Sequence, residues 1–449
     1  MSPRTRPSSP RSRPATRAAV AAVTCSLALT GAAAVGSSAP AAAVPAAVAA
    51  LHTVTVQVPT TLRTAPFDVT RKLSVPAGWT AAVWARVPGA RMAAVAPDRA
   101  VLVSGNGQVV RLAPKAVPAK QPAQSTLLSG LDNPQGLAFD GTTLYVGEND
   151  RVEAFTYNAG VLSGRRTVLG GLPTGGHDAK GLVVGADHSL YVTVGSAGNV
   201  SEGDRTASPE RAAIYRVPPG GGAATVFAHG VRNGTGLTRD PNGGIWTAVN
   251  NRDQIGYPYH RDFDGDGSDD YGKVMSAYVN EHPVEEVALL TPGRDLGWPY
   301  CNPDPDVQPG VQGTAFDYTK PPFVADAQLN PGGSKLDCST QQRIQIGLPA
   351  HSAPLGFHFV TGSALPAAWR SGAVVATHGS WNRQPPRAPM VAFLPWKYNT
   401  LLAPVPMVSG FQNSDGSRWG RSVDAVPGAD GALYVTDDQS GTVYRLAAA

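Results

Sequence analysis

Short apolar runs alternate with turns along the chain, and one stretch shows the pattern most clearly. Residues 175–195, GGHDAKGLVVGADHSLYVTVG, contain a loop, an apolar run, a tight turn of Gly, Ala and Asp, and a second apolar run. Alternation with a period of two on both sides of such a turn predicts a β-hairpin. His177 lies where the loop enters the first predicted strand, so a titratable side chain stands at the open end of the hairpin.

Similar hairpin units recur along the chain, each with an apolar strand, a turn rich in Asp, Asn, Gly or Pro, and a second apolar strand. The units span residues 92–112, 133–155, 181–195, 234–250, 355–379 and 421–446. The first four begin roughly 40–55 residues apart, which is the length of a four-stranded blade. We therefore predict an all-β fold, a six-bladed β-propeller, with a long insertion at about 251–350 between the fourth and fifth units. A β-sandwich is the alternative, but it does not predict the same motif six times.

Residues 1–43 have the composition of a secretory signal peptide. Five arginines and no acidic residue accompany an apolar run of small residues over 18–36, and A-x-A cleavage sites end at Ala43 and Ala49. This order predicts export, followed by an extended lead-in over 44–70 and a catalytic propeller domain over 71–449. A transmembrane anchor is the alternative. Because Thr, Ser and Gly interrupt the run, we expect no stable membrane span in the mature chain.

Removal of this segment changes the charge of the protein. The whole chain has 37 basic and 33 acidic residues, and without the five N-terminal arginines 32 basic residues face the same 33 acidic ones. The mature chain is therefore almost neutral, and it has no basic cluster with interleaved aromatic residues. A nucleic-acid partner is not expected.

Cysteine usage agrees with export. Cys25 lies in the predicted signal peptide, which leaves Cys301 and Cys338. An even pair in an exported chain predicts one disulfide, and two unpaired buried thiols are the alternative.

Two motifs near the predicted hairpins suit proton transfer and anion binding. His177 is followed by Asp178 and Lys180. Histidine has the side-chain pKa nearest neutrality, so a histidine at the central channel can accept a proton from a hydroxyl group. Arg232 and Asn233 directly precede the fourth unit, and a guanidinium beside an amide suits carboxylate or carbonyl oxygens. Alone, each motif is equally typical of an ordinary loop.

The predicted insertion carries carboxylates at alternating positions. The stretch DFDGDGSDD places acidic side chains at Asp262, Asp264, Asp266 and Asp270. Alternate carboxylates curl around a hard cation, and a glycine permits the sharp turn, so this loop predicts calcium binding. Lys273 occupies the position of the closing glutamate of an EF-hand, so the loop is not a complete EF-hand. A second and more central ion is predicted at Asn251, Asp253 and Glu285.

The segment HGSWNR is the last candidate binding motif. Trp381 can stack on a flat ring of a ligand. Three arginines can bind acid groups of that ligand, namely Arg383, Arg418 and Arg421. His378 and Ser380 suggest a hydrolytic pair as an alternative, but there is no G-x-S-x-G motif and no acid placed beside them.

Taken in order, these motifs resemble the soluble quinoprotein sugar dehydrogenases, the glucose/sorbosone dehydrogenase family, and the sorbosone-dehydrogenase branch above all. The matching segments lie between about residues 130 and 446, and are NPQGLAF, the His177 hairpin, VGSAGNV, VRNGTGL, NNRD, PVEEV, GWPYC, HSAPLGFHF, HGSWNR and GRSVDAV. Each is weak alone, and the order makes the resemblance specific.

The resemblance implies a propeller that binds pyrroloquinoline quinone (PQQ) and calcium above its central channel. It assigns His177 as general base, Arg232 and Asn233 to contact with the quinone, and Arg421 to the cofactor's carboxylates. It also places the cofactor-side calcium near Asn251 and Asp253, partly on backbone oxygens. The implied reaction is oxidation of a sugar, polyol or aldehyde by hydride transfer to PQQ, with electrons passed to an external acceptor.

One departure from the family's pattern bears on cofactor binding. A lysine often follows HGSWNR in the family, whereas this chain has QPPRAP over 384–389. Arg383 and Arg387 are the nearest substitutes, although arginine and lysine are not equivalent at such a site. Two other functions stay open at this point: a metal-dependent hydrolase of the lactonase kind, and a non-catalytic carbohydrate-binding propeller.

Overall fold

The computed structural model describes residues 51–117 and 120–449. The predicted signal peptide, with its cleavage positions Ala43 and Ala49, lies outside the described residues. We number the strands β1–β30 in chain order and the single α-helix of the described residues α1. The lead-in forms a small antiparallel sheet with a 3₁₀ turn at Thr60–Leu62, and its strands are β1 (Leu51–Thr55) and β2 (Lys72–Pro76).

Six further sheets form the blades, and in five of them the innermost strand comes first along the chain, whereas blade 6 takes its outermost strand from residues 79–86. Blade 1 comprises β4 (Ala93–Val95), β5 (Val101–Gly105), β6 (Gln108–Ala113) and β7 (Ala123–Ser129). Blade 2 comprises β8 (Leu137–Asp140), β9 (Thr143–Gly147), β10 (Val152–Asn158) and β11 (Val161–Leu169). Blade 3 comprises β12 (Leu182–Val184), β13 (Leu190–Val194), β14 (Ala213–Val217) and β15 (Thr225–His229), with the short strand β19 (Arg294–Asp295) added in parallel.

The other three blades follow the same plan. Blade 4 comprises β16 (Gly236–Arg239), β17 (Ile245–Val249), β18 (Glu285–Leu290) and β22 (Ile346–Leu348). Blade 5 comprises β23 (Pro354–Phe359), β24 (Gly372–Thr377), β25 (Met390–Lys397), β26 (Thr400–Leu401) and β27 (Val405–Val408). Blade 6 comprises β28 (Ser422–Pro427), β29 (Leu433–Asp437), β30 (Thr442–Ala448) and β3 (Trp79–Arg86). The predicted six-bladed β-propeller is confirmed.

The second strand of each blade explains the LYV-type runs in the sequence. β13 and β29 are buried along their whole length. Such strands are sandwiched between neighbouring blades, so both of their faces exclude water and the apolar residues become continuous. Outer strands such as β11 are largely exposed and polar. The core is accordingly divided into six main clusters between adjacent blades rather than collected at the centre of the ring.

The segment 251–350 contributes to the ring as well as extending it. Its strands β18 and β22 are the third and fourth strands of blade 4. The additional chain therefore forms two excursions, over 250–284 and 291–345, rather than one insertion between complete units. The three-residue strand β22 shows no alternation that the sequence pattern could have revealed.

The two excursions carry little regular structure. They contain α1 (Ser276–Val279), the paired strands β20 (Cys301–Pro303) and β21 (Phe323–Ala325), and 3₁₀ turns at Pro331–Gly333 and Cys338–Thr340. Other 3₁₀ turns lie at Glu202–Thr206 and Ala367–Trp369. Cys301 and Cys338 form a disulfide with Cα atoms 5.6 Å apart, which confirms the predicted pair. Within 51–117 and 120–449, no helix has the length and apolar character needed to cross a membrane.

Candidate active site

Polar side chains collect at one end of the central channel for a topological reason. Neighbouring strands of a blade run antiparallel, so the loop before the first strand and the loop after the second lie at the same end of the ring. We call this end the polar mouth. Loops before first strands supply Arg91, Gln135, His177, Asn233 and Arg421, and loops after second strands supply Ser196, Asn251, His378 and Asp438.

His177 is held by the loop opposite to it in blade 3. Its backbone N–H donates to the Ser196 carbonyl at 2.9 Å, and its Nδ1 lies 2.8 Å from Ser196 Oγ. Gly195 makes this seat possible, because a Cβ there would lie 2.4 Å from the His177 carbonyl oxygen. Burial and the nearby charge of Arg232 lower the pKa of His177 to about 4. The imidazole is therefore neutral at neutral pH and can accept a proton.

The loop that carries His177 is fixed from below by two buried cations. Arg211 donates to the carbonyl oxygens of Gly195 at 3.2 Å and Thr174 at 3.1 Å, and also to that of Gly175. Lys180 donates to the carbonyl oxygen of Asp178 at 2.7 Å, and burial lowers its pKa to about 8. Lys180 thus supports the loop backbone. Arg211 was not predicted as part of the site.

Arg232 is almost wholly buried, with 3% of its surface exposed. It donates to the carbonyl oxygens of Asn250 at 2.9 Å and Asn251 at 2.8 Å, and to both oxygens of Asn199 at 3.1 Å. Burial lowers its pKa to about 10, so it stays charged at neutral pH. Ser196 donates its N–H to the Arg232 carbonyl at 2.8 Å. Ser196 therefore contacts both Arg232, a fixed cation, and His177, the predicted base.

Asn233 carries the clearest sign of a missing partner. Its side chain is 7% exposed, and its Oδ1 is buried without a hydrogen-bond partner among the described residues. A buried acceptor left unpaired costs about 1–3 kcal/mol. Such a group in the residue next to a buried arginine suits the binding of a polar ligand.

Arg421 and Arg91 meet on one carboxylate at the polar mouth. Asp438 accepts hydrogen bonds from Arg421 Nε at 2.9 Å, from Arg91 at 2.7 Å and from His378 Nε2 at 3.1 Å. Burial would raise the pKa of Asp438, but the hydrogen bonds from His378 and Arg421 and the charge of Arg91 hold it well below its usual range. Burial lowers the pKa of His378 to about 4. Two cations against one anion leave a net positive charge, which suits an acidic ligand.

Three other predicted cofactor residues lie in the same loops but have other partners. Arg383 donates to the Asn280 carbonyl at 3.1 Å and to Glu281, next to α1. Arg418 donates to the Ser380 carbonyl and to Gln412. Trp381 is 77% exposed and is therefore not enclosed as a stacking platform. The guanidinium groups of Arg383 and Arg418 thus tie loops together.

The predicted central calcium set does not form a cage of free oxygens. The Glu285 carboxylate accepts the N–H groups of Asn251 at 2.6 Å and Ala353 at 3.0 Å, while Asn251 Oδ1 accepts the N–H of Arg252. Burial raises the pKa of Glu285. Asp253 is more open, and its carboxylate lies 3.3 Å from His351 Nδ1. Asn251 and Glu285 therefore support the backbone, which leaves the Asp253 carboxylate as the member of the predicted set that is most open to an ion.

The acidic loop of the first excursion is more compact. Carboxylate oxygens of Asp262, Asp264 and Asp270 all lie within 4.8 Å of one another. Asp266 is not part of this group; its carboxylate accepts the Ser268 N–H at 2.7 Å. Lys273 donates to Asp270 at 2.7 Å.

Several residues of the site were missed by sequence analysis, namely Arg91, Gln135, Ser196, Asn199, Arg211, His351 and Asp438. One available signal was position within the repeat. Ser196 and Asp438 both follow the second strand of their blade by one or two residues. Aligning the six hairpins would have brought such positions to one end of the channel.

The fold has solved counterparts among proteins described as sugar dehydrogenases and AA12 enzymes. The structure matches the PQQ domain of pyranose dehydrogenase from Coprinopsis cinerea with a TM-score of 0.69 and 21% identity, covering 84% of this chain and 97% of that one. It matches the calcium structure of a family AA12 enzyme from Trichoderma reesei with a TM-score of 0.68 and 21% identity, covering 84% of this chain and 96% of that one. At these identities the likeness concerns the fold.

The chain belongs to the TrAA12-like family, whose profile matches residues 73–449. A PQQ-dependent pyranose dehydrogenase of Coprinopsis cinerea is 28% identical over 332 residues, which is 63% of this chain. The chain spans 41% of the length of that relative. The predicted kinship with soluble PQQ-dependent sugar dehydrogenases is confirmed.

Proposed function

We propose that this protein is a PQQ-dependent dehydrogenase that oxidises a sugar, a polyol or a related aldehyde. The observation that carries the proposal is the polar mouth itself. It brings a neutral histidine, His177, near a buried arginine, Arg232, and the next residue, Asn233, carries an unpaired buried amide oxygen. A neutral base can take the proton of a substrate hydroxyl group. A fixed cation beside it would stabilise the negative charge that the cofactor gains when the hydroxyl group is oxidised.

The residues present fit a quinone with several carboxylates. Arg421 and Arg91 offer two guanidinium groups held in place by one acid, Asp438. The segment after HGSWNR lacks the lysine that is frequent in the family. Arg91, from the loop before the first strand of blade 1, supplies a second cation instead. Arg383 and Arg387 both pair with Glu281, so they are less suited to replace that lysine.

The protein's own groups then have separate tasks. When bound, PQQ supplies the two-electron acceptor that side chains lack. Arg232 and Asn233 would hold the quinone and would favour negative charge on it. His177 removes the proton from the substrate hydroxyl and holds it as an imidazolium. Buried Arg211 and Lys180 keep the His177 loop in place during this transfer.

Calcium is part of the proposal at two positions. The acidic loop of Asp262, Asp264 and Asp270 is the candidate for a structural ion, which its compact carboxylates support. On the cofactor side, Asp253 and neighbouring backbone oxygens are the candidate ligands. We also propose that the protein is exported, on the basis of its N-terminal composition and its disulfide, and that it passes electrons to an external acceptor.

The test is reduction of an artificial dye by the purified protein, with PQQ and calcium omitted in turn, over a panel of sugars and polyols. Turnover that requires the quinone supports the proposal. Quinone binding that is undetectable by absorbance, even with calcium present, would contradict it. Metal-dependent lactone hydrolysis without quinone would point to the lactonase function instead.

A further inference from the structure

The hydrogen-bond pattern around His177 determines which ring nitrogen carries the proton. Nδ1 lies 2.8 Å from Ser196 Oγ, and the same Oγ lies 2.8 Å from the carbonyl oxygen of Gly198. A carbonyl can only accept, and a serine hydroxyl has one hydrogen to donate. The Ser196 hydroxyl therefore donates its hydrogen to the Gly198 carbonyl oxygen, and Ser196 Oγ accepts a hydrogen bond from His177 Nδ1–H.

This assignment leaves the other nitrogen free. With the hydrogen on Nδ1, the lone pair of neutral His177 is on Nε2. Nε2 has no hydrogen-bond partner in the part of the chain that the structure describes. The free lone pair is thus on Nε2, the ring nitrogen to which none of the described loops makes a hydrogen bond.

Ser196 cannot easily turn to another partner. It is fully buried, its N–H donates to the Arg232 carbonyl at 2.8 Å, and its carbonyl accepts the His177 N–H at 2.9 Å. Asp204 holds the loop that places Gly198 next to Ser196. Its carboxylate accepts the N–H of Ala197 at 2.8 Å and the hydroxyl of Ser201 at 3.0 Å. Backbone and side-chain contacts therefore hold the hydroxyl in one orientation.

We propose that Ser196 is a positioning residue, which holds His177 as the Nδ1–H tautomer and leaves Nε2 as the proton acceptor. The inference rests on the proposed function for its catalytic meaning. A carboxylate in this place would also orient the ring, but it would stabilise the imidazolium by its charge. A hydroxyl orients the ring without charge, so Arg232, Arg211 and Asp253 are the charged groups that act on His177.

The direct test is the tautomer of His177 in the protein without quinone. Uniform ¹⁵N labelling of histidine and long-range ¹H–¹⁵N spectra above pH 7 distinguish the protonated from the unprotonated ring nitrogen, and His177→Gln assigns the signals. We expect a pyrrole-type Nδ1 and a pyridine-type Nε2. In Ser196→Ala, the acceptor is lost, and both signals should move towards the values of a tautomer mixture.

The matched control is Ser189→Ala. Ser189 is equally buried but lies at the opposite end of β13, where its hydroxyl donates to Asp187 at 2.9 Å. It should lose a hydrogen bond of the same kind and leave the His177 signals unchanged. Thermal midpoints of both variants show whether folding is preserved.

Kinetics of the quinone-loaded protein give the second measurement. Loss of orientation should lower kcat about tenfold with little change in KM, which is less than the loss of about 10²–10⁴ expected when a general base is removed. An Nε2–H tautomer in the parent protein, or unchanged His177 signals in Ser196→Ala, would overturn the inference. If the signals behave as expected but no sugar is oxidised, the dehydrogenase proposal fails and the assignment of the hydrogen bond stands.

Discussion

At the scale of single residues, the polar mouth separates the proposed base from the arginines proposed to bind acid groups. His177 and Arg232 lie on either side of Ser196, whereas Arg421 and Arg91 are held by Asp438. The first set suits proton removal and the second suits carboxylate binding. Two residue-scale predictions follow from this separation.

Replacement of His177 by Ala should abolish most turnover and spare cofactor binding. Removal of a general base lowers kcat by about 10²–10⁴. His188→Ala is the control, because His188 lies at the other end of blade 3, exposed and paired with Asp140. In the parent protein, kcat/KM should be constant from neutral pH to about pH 5 and fall near the pKa of about 4, since only the neutral imidazole accepts a proton. An acidic limb centred near pH 6.5 would contradict the buried environment of His177.

Replacement of Arg421 by Gln should weaken quinone binding. A charged hydrogen bond contributes about 1.5–3 kcal/mol, so the Kd should rise roughly ten- to a hundredfold. The control is Arg445→Gln, because Arg445 makes a similar pair with Asp430, with contacts of 3.0 and 2.8 Å, at the turn between β28 and β29. Equal effects of the two substitutions, measured by quinone absorbance titration, would show that Arg421 acts through stability alone.

At the scale of elements, a buried charged cluster joins the two excursions, and the disulfide closes a loop within the second. His282 follows α1, stacks on Tyr278 with ring centroids 3.9 Å apart, and lies 3.1 Å from Asp306 and 3.5 Å from Asp304. The cluster joins the first excursion to the second.

Because of this cluster, the stability of the folded protein should fall at alkaline pH. Burial alone would lower the pKa of His282, but the hydrogen bonds that His282 donates to Asp304 and Asp306 outweigh it and raise the value to about 9. The unfolded value is about 6.5, so the stabilisation is complete below pH 6.5 and is lost as the pH rises through 9. Hydrogen exchange in 276–306 should accelerate over this interval, and His282→Gln should remove the dependence. Exchange that is constant from pH 6.5 to 9, after correction for intrinsic rates, would disprove the charged cluster.

The disulfide should stabilise the second excursion. Cys301 and Cys338 are 37 residues apart, and closing a loop of this length stabilises the folded state by roughly 3–4 kcal/mol. The double replacement by Ser should lower the denaturation midpoint by a corresponding amount. Reduction of the parent protein should reproduce that shift, and an unchanged midpoint would mean that the loop is held by packing alone.

At the scale of the whole molecule, closure of the ring depends on a strand from near the other end of the chain. In blade 6, β30 lies between β29 and β3, with Trp79 opposite Ala448 and Arg86 opposite Thr442. The contact closes the circle of blades and buries the cluster of Trp84, Tyr434 and Val443.

A chain ended after Gly441 should therefore fail to fold cooperatively, since it loses β30 and leaves β3 without its partner. A chain ended after Ala447 keeps most of that pairing and should unfold within a few degrees of the parent. Circular dichroism on heating compares the two. A cooperative transition in the shorter chain would show that the ring is stable when open.

The sequence alone determined the number of blades, the disulfide and the family, because these depend on local pattern and order. Alternation around turns such as that of residues 185–189 reports strands directly, and a strand buried on both faces, such as β13, must be apolar along its length. His177, Arg232, Asn233 and Arg421 could be named as candidates because they lie in motifs next to those strands.

Only the tertiary structure decided which polar groups share a partner. Arg91 and Asp438 are 347 residues apart, and Ser196 and Arg232 lie in different blades, so no local pattern links them. Burial decided the rest: Glu285 and Asn251 look like ion ligands in sequence, yet inside the protein their oxygens accept backbone N–H groups. An unpaired buried polar group is costly, and the folded chain satisfies nearby donors before any ligand arrives.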